Sequence, residues 1–152
     1  METYALVKLL HIISATILFG TGLGIAFFML CGHLSGETSL RRFAATFTVR
    51  ADFLFTLPAV IVQPLTGAWL VILRDFAWDE FWLLATYALY LLAGACWVPV
   101  VLIQLRMKQL LLRTPLDQAA LNRLFRCWFA LGWPAFASLV VIFWLMVAKP
   151  SW

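Results

Sequence analysis

A chain of 152 residues that is 64% hydrophobic and 12% charged, with a mean hydropathy of +0.97, lacks the composition of a soluble domain. Its net charge of +4 comes from basic residues set between long apolar runs, which places that charge at a membrane surface and excludes a nucleic-acid surface. The length suits one domain, residues 1–152.

The first apolar run covers residues 4–31. The residues before it hold an acid and no base, and the run outlasts the core of a cleaved leader, so it reads as a membrane span. Residues 32–38 include Gly32, Ser35 and Gly36 and read as a turn. An amphipathic lead-in from Ser39 is expected to enter the second span, residues 53–73. A short charged connection, residues 74–80, leads to the third span at 81–105. Thr114-Pro115-Leu116-Asp117 has the pattern of an N-cap, a proline at the first helical position and an acid two residues on. The fourth helix is therefore expected to begin near Pro115, with the third running to about Leu112 and the fourth span covering 127–148. Each run reaches the roughly 20 apolar residues that cross a bilayer. Short connections make neighbours antiparallel, so the expected fold is all-α: an integral membrane, up-down antiparallel four-helix bundle.

Lys and Arg counts orient such a bundle. One side carries Arg41, Arg42, Arg50, Arg106, Lys108, Arg113, Arg123 and Arg126; the other carries Lys8, Arg74 and Lys149. The first side is expected to be cytoplasmic, facing anionic lipids, with both termini outside the cytoplasm. Tyr4, Trp69, Trp78, Trp82 and Trp144 would form the outer aromatic belt; Phe43, Phe47, Phe125 and Trp128 would form the inner one.

Polar groups inside a membrane are functional candidates. His11 lies about two turns into the first span. Its imidazole suits a metal or haem ligand, and equally a structural polar contact with a neighbouring helix. His33 is 22 positions later, about 33 Å along a helix, so the two cannot clamp one haem. His33 is expected to be a solvated loop residue. Met146, a ligand from another subunit, or none at all are the options for a second axial position. Gly20 and Gly24 form G-x-x-x-G, which allows close helix approach or, with Gly22, leaves room for a flat macrocycle. Arg50 and Asp52 point to different helix faces and are expected to join a charge network at the rim with Arg123, Arg126 and lipid phosphate. Gln63 and Pro64 fall near mid-membrane, and Pro58, Pro99 and Pro134 form a layer of kinks that shapes either a cavity or the bundle. Cys31, Cys96 and Cys127 fit no disulfide or zinc pattern and read as reduced packing residues. Hydrolytic constellations are absent.

Several stretches together resemble a bacterial family of predicted integral membrane proteins of unassigned function (domain of unknown function 2269). They are Val7-Lys8-Leu9-Leu10-His11, Asp52-Phe53-Leu54-Phe55-Thr56-Leu57-Pro58, Gln63-Pro64-Leu65-Thr66-Gly67, Tyr90-Leu91-Leu92-Ala93-Gly94-Ala95-Cys96-Trp97, the run from Trp128 to Phe136, and Met146-Val147-Ala148-Lys149-Pro150. The resemblance implies a bacterial inner-membrane protein. More distantly, Lys8 and His11, Pro58 and Gly67, and Arg126, Trp128, Phe129, Pro134, Lys149 and Pro150 are similar to haem-containing membrane protoporphyrinogen oxidases and copper-resistance D-type domains. That similarity implies haem b on His11, with Gly20, Gly24, Thr66, Tyr87 and Tyr90 at the pocket. Two departures stand against carrying over the oxidase activity. Trp133 holds the place of an acid before the last proline, and the early third span has Ala85, Thr86 and Tyr87 where a lysine is expected. A haem-b redox or porphyrin-related protein is therefore the leading expectation. The alternatives are a non-enzymatic accessory or assembly subunit of a larger membrane complex, and a metal or small-solute transporter built as a homo-oligomer.

Overall fold

The computed structural model describes residues 1–150 and is all-α. Four rods are long and apolar enough to cross a membrane. The first is α1, Glu2–Leu34. The second joins α2, Thr38–Ala51, to α3, Leu57–Arg74, through a single π-helical stretch, Asp52–Thr56. The third is α4, Phe81–Leu110, and the fourth is α5, Gln118–Ala148. Short connections at 35–37, 75–80 and 111–117 make the rods antiparallel in sequence order. One end of the bundle, the loop end, holds the first and third connections. The other, the terminal end, holds the start of α1, the end of α5 and the second connection.

Local chemistry sets the boundaries. Asp117, not Thr114, caps α5: its carboxylate accepts from the Ala120 amide at 2.9 Å. The start expected near Pro115 is thus corrected to Gln118, because the side chain that satisfies a free first-turn amide lies three residues later than Thr114. α3 ends at Asp75 and α5 at Lys149, both with left-handed backbone at φ 53° and 43°. The Lys149 ammonium then lies 4.5 Å from the Phe76 ring centre and 5.4 Å from that of Trp82.

The rods pack as two pairs, α1 along α3 and α4 along α5. At the loop end α2 bridges them. Ile25 and Met29 of α1 meet Ala44 and Ala45 of α2, Val100, Ile103 and Met107 of α4, and Leu121, Phe125 and Trp128 of α5. Gly32 is what lets α2 come so close to α1: a Cβ there would stand 2.8 Å from Ala44 Cβ and 3.3 Å from the Leu40 carbonyl. At the terminal end Val71, Trp82, Leu83 and Leu145 form a second, smaller core. Phe28, Leu54, Leu65, Leu91, Trp133 and Val147 project outward, as lipid-facing side chains do.

Some expectations are corrected by this packing. Trp82, Phe125 and Trp128 are buried core residues rather than belt residues, because each faces the neighbouring rod. Trp69, Trp78, Trp144, Phe43 and Phe47 do lie on the surface. His33 is not a solvated loop residue: it sits in the last turn of α1 with its ring stacked on Phe125, centroids 3.7 Å apart. All three cysteines are free; Cys96 is buried, while Cys31 and Cys127 are exposed and so are not packing residues.

Candidate functional site

Two polar constellations lie within the spans. The first ties α1 to α3. His11 Nδ1 is 2.8 Å from Thr66 Oγ1, and His11 Nε2 is 3.1 Å from Gln63 Nε2. Ser14 hydrogen-bonds Gln63 Oε1. One proton assignment satisfies the whole set. Gln63 donates to His11 Nε2, His11 Nδ1–H donates to Thr66, and Thr66 donates to the Val62 carbonyl at 2.8 Å. Gly67 completes the contact, since a Cβ there would lie 3.3 Å from His11 Cε1. The α1–α3 interface is therefore shaped around the histidine ring.

A haem on His11 would need one ring nitrogen for the axial bond to iron. Both nitrogens are engaged by α3, and the ring is pressed against Gly67, so the residues present do not fit an axial ligand. Among the described residues no three His, Cys, Asp or Glu side chains gather as a metal site. The other residues expected at a haem pocket scatter. Thr66 joins His11, whereas Tyr87 is on the surface. Gly20 is exposed, Gly24 is half-buried, and neither has a neighbouring helix within contact of its Cα face.

The second constellation lies between the two helix pairs. There the bundle opens into a cavity of about 320 Å³, partly open at the side and almost wholly apolar. Small-molecule sites span about 300–1,000 Å³. α1 contributes Leu18 to Ala26, the second rod Asp52, Thr56 and Val60, α4 Tyr90 to Gln104, and α5 Trp128 to Leu139. Three lining positions are glycine: Gly22, Gly94 and Gly132. None would bring a Cβ within 4 Å of another group, so a side chain at any of the three would have room. Tyr90 spans the gap, donating from its hydroxyl to the Val60 carbonyl at 2.6 Å.

Behind the loop-end wall of this cavity lies a buried polar cluster. Asp52 is 3% exposed, Thr56 4%, Gln104 1% and Trp128 5%. Trp97 donates its indole N–H to Asp52 Oδ1 at 3.3 Å. The Thr56 and Gln104 side chains flank the same carboxyl. Asp52 Oδ2, Thr56 Oγ1, Gln104 Oε1 and Trp128 Nε1 have no hydrogen-bond partner in the protein. A lone buried polar atom is costly, and four in one place mark an unfinished network. The π-helical stretch is the local cause. Its wider turn carries Asp52 and Thr56, both turned inward, and such insertions recur at functional sites.

This cluster departs from the expectation for Asp52. No cation pairs with it among the described residues, and the rim network with Arg123 and Arg126 does not form. Arg50 points the other way, its guanidinium 5.1 Å from the Phe47 ring. Thr56, Trp97, Gln104 and Trp128 were not legible as site residues. The usable signals were that Asp52 is the one acid far from every turn, and that Trp97 and Gln104, seven apart on α4, share a helix face.

The family model of predicted integral membrane proteins, DUF2269, matches residues 5–150. No curated protein and no solved structure gives a match.

Proposed function

Given that the chain belongs to this family of predicted integral membrane proteins, we propose that it binds a lipid-soluble small molecule in the cavity between its helix pairs. The reading is that of a non-enzymatic membrane carrier or receptor for a small solute. One observation carries it: a largely apolar cavity of about 320 Å³ lies between the helix pairs, with Gly22, Gly94 and Gly132 in its lining. Interiors are normally close-packed, and a void forfeits contact energy. A void of this size between the rods is explained if something occupies it.

The haem-b reading rests on resemblance through Lys8 and His11. It would require Gln63 to release His11 Nε2, and the geometry supports it less well than it supports the cavity. The orientation that suits the cavity reading is the one that charge counting gives: a bacterial inner membrane, both termini outside the cytoplasm. Arg106, Arg113, Arg123 and Arg126 are exposed at the loop end, where anionic headgroups of the cytoplasmic leaflet would meet them. A homo-oligomer or a larger complex is compatible with this arrangement and is not needed to complete the cavity.

The test is equilibrium binding of tritiated triphenylphosphine oxide, a neutral apolar probe, to the protein in phosphatidylcholine nanodiscs, against empty nanodiscs. Saturable binding is expected. It should be lost in the double variant Gly94→Leu/Gly132→Leu, which fills the cavity, while circular dichroism stays that of the parent. Saturable binding that survives the filled variant would remove the cavity as the site.

A further inference from the structure

We propose that the occupant is a lipophilic organic cation, with its charged centre held at Asp52 and its apolar body in the aromatic part of the cavity. The inference rests on the cavity reading above and names the class of molecule it takes.

Four observations converge. Asp52 is the only charged side chain buried in the bundle among the described residues, and no cation of the chain faces it. A carboxylate in that setting is costly unless it is neutralised, by a proton or by a bound positive charge. Trp97 donates to one carboxyl oxygen, while Oδ2 has no hydrogen-bond partner in the protein and lies covered behind the cavity wall. The unpaired atoms around it are weighted toward acceptance. Asp52 Oδ2 and Gln104 Oε1 accept, Thr56 Oγ1 can do either, and Trp128 Nε1 alone must donate. An anion would meet the wrong sign at this cluster, and a pure hydrocarbon would leave it unsatisfied. Finally, Trp97, Trp128, Phe129 and Phe136 line the same space. Aromatic faces attract cations, most strongly where water is excluded.

Binding is then an exchange at one group. The charge contact needs the carboxylate, so a proton and the cation compete for Asp52. Acidification should oppose binding. The groups able to interfere are few. α1 and α5 bring no titratable side chain to the cavity, α4 brings Tyr90 at the far end, and Arg50 on Asp52's own rod is exposed.

The experiment compares tetraphenylphosphonium with triphenylphosphine oxide, both tritiated, in phosphatidylcholine nanodiscs from pH 5 to pH 8. At pH 8 the cation is expected to bind at least tenfold tighter than the neutral probe. Its affinity should fall as the pH is lowered, while that of the neutral probe stays flat. Asp52→Asn should bring the cation down to the level of the neutral probe. The pH series on the unaltered protein keeps the test independent of whether that variant folds. Equal affinity of both probes, flat with pH, would overturn the cation assignment and leave the cavity reading standing. Absence of saturable binding by either probe would overturn the cavity reading itself.

Discussion

The Tyr90 hydroxyl donates to the carbonyl of Val60, which lies four residues before Pro64. In an unbroken helix that carbonyl would accept from the amide at position 64, and proline has none. Tyr90 therefore replaces the missing helical hydrogen bond from across the cavity, and in doing so ties α4 to α3 where the two pairs otherwise stand apart. Tyr90→Phe should leave a buried acceptor unpaired. A loss of about 1–3 kcal/mol is expected, read as a lower thermal midpoint in detergent. Pro64→Ala should restore the helical bond and make Tyr90→Phe nearly silent. An equal loss in both backgrounds would mean that the hydroxyl acts through something other than the proline-freed carbonyl.

His11 and Thr66 offer a second test. If the ring is a tie between α1 and α3, the two residues act as one unit. A double-mutant cycle of His11→Ala and Thr66→Val should then show coupling of about 0.6 kcal/mol, the average for polar contacts between membrane helices, and no more than about 1.7. The visible absorbance spectrum, taken on protein expressed with ample haem and then reduced, should be the same for the parent and His11→Ala. A Soret band present in the parent and missing in the variant would restore the haem reading and show that Gln63 yields its place.

The close approach at Gly32 predicts a steric effect with a clear sign. Gly32→Val would force its β-carbon into Ala44, backed by the Leu40 carbonyl, and backbone cannot swing aside as a side-chain tip can. Overpacking of this kind costs about 1–3 kcal/mol. Gly20→Val should cost far less, since nothing lies within 4 Å of the β-carbon it would gain. Urea or thermal unfolding of the two variants side by side separates them, and equal losses would place the effect in helix propensity rather than packing.

These contrasts show which features could be read from the sequence. Hydropathy and turn residues give four antiparallel spans because lipid selects for run length, and run length is visible in one dimension. The placement of a polar group is not. G-x-x-x-G at Gly20 and Gly24 fits the pattern for a helix contact, yet the contacts fall at Gly32 and Gly67, where α2 and His11 happen to face. Asp52 is two residues from Arg50, and spacing alone assigns it to the rim. The π-helical stretch that begins at Asp52 changes the angular register, and no residue type announces such an insertion. His11 could be singled out from depth alone. Whether its ring turned to a cofactor or to Thr66 depended on the rotation of α1 against α3.

Lys149 supplies the last prediction. Its left-handed backbone turns the chain at the end of α5 and sets the ammonium over Phe76 and Trp82, whose rings stand edge to face with centroids 5.4 Å apart. Trp82 in turn hydrogen-bonds the Glu80 carboxylate, so the second connection and the end of α5 are held by one cluster of charge and rings. Lys149→Gln removes the charge and keeps a polar tip on an apolar stem one atom shorter. A partly exposed cation–π contact contributes about 0.5–1 kcal/mol, and two rings share this one. Lys149→Gly should remove the same contact and also relax the left-handed backbone, so it should be the milder change of the two. Amide hydrogen exchange at residues 76–83 is the sensitive readout, with faster exchange expected in Lys149→Gln. If Lys149→Gly exchanges faster still, the ammonium contributes less than the side-chain stem packed along the rings.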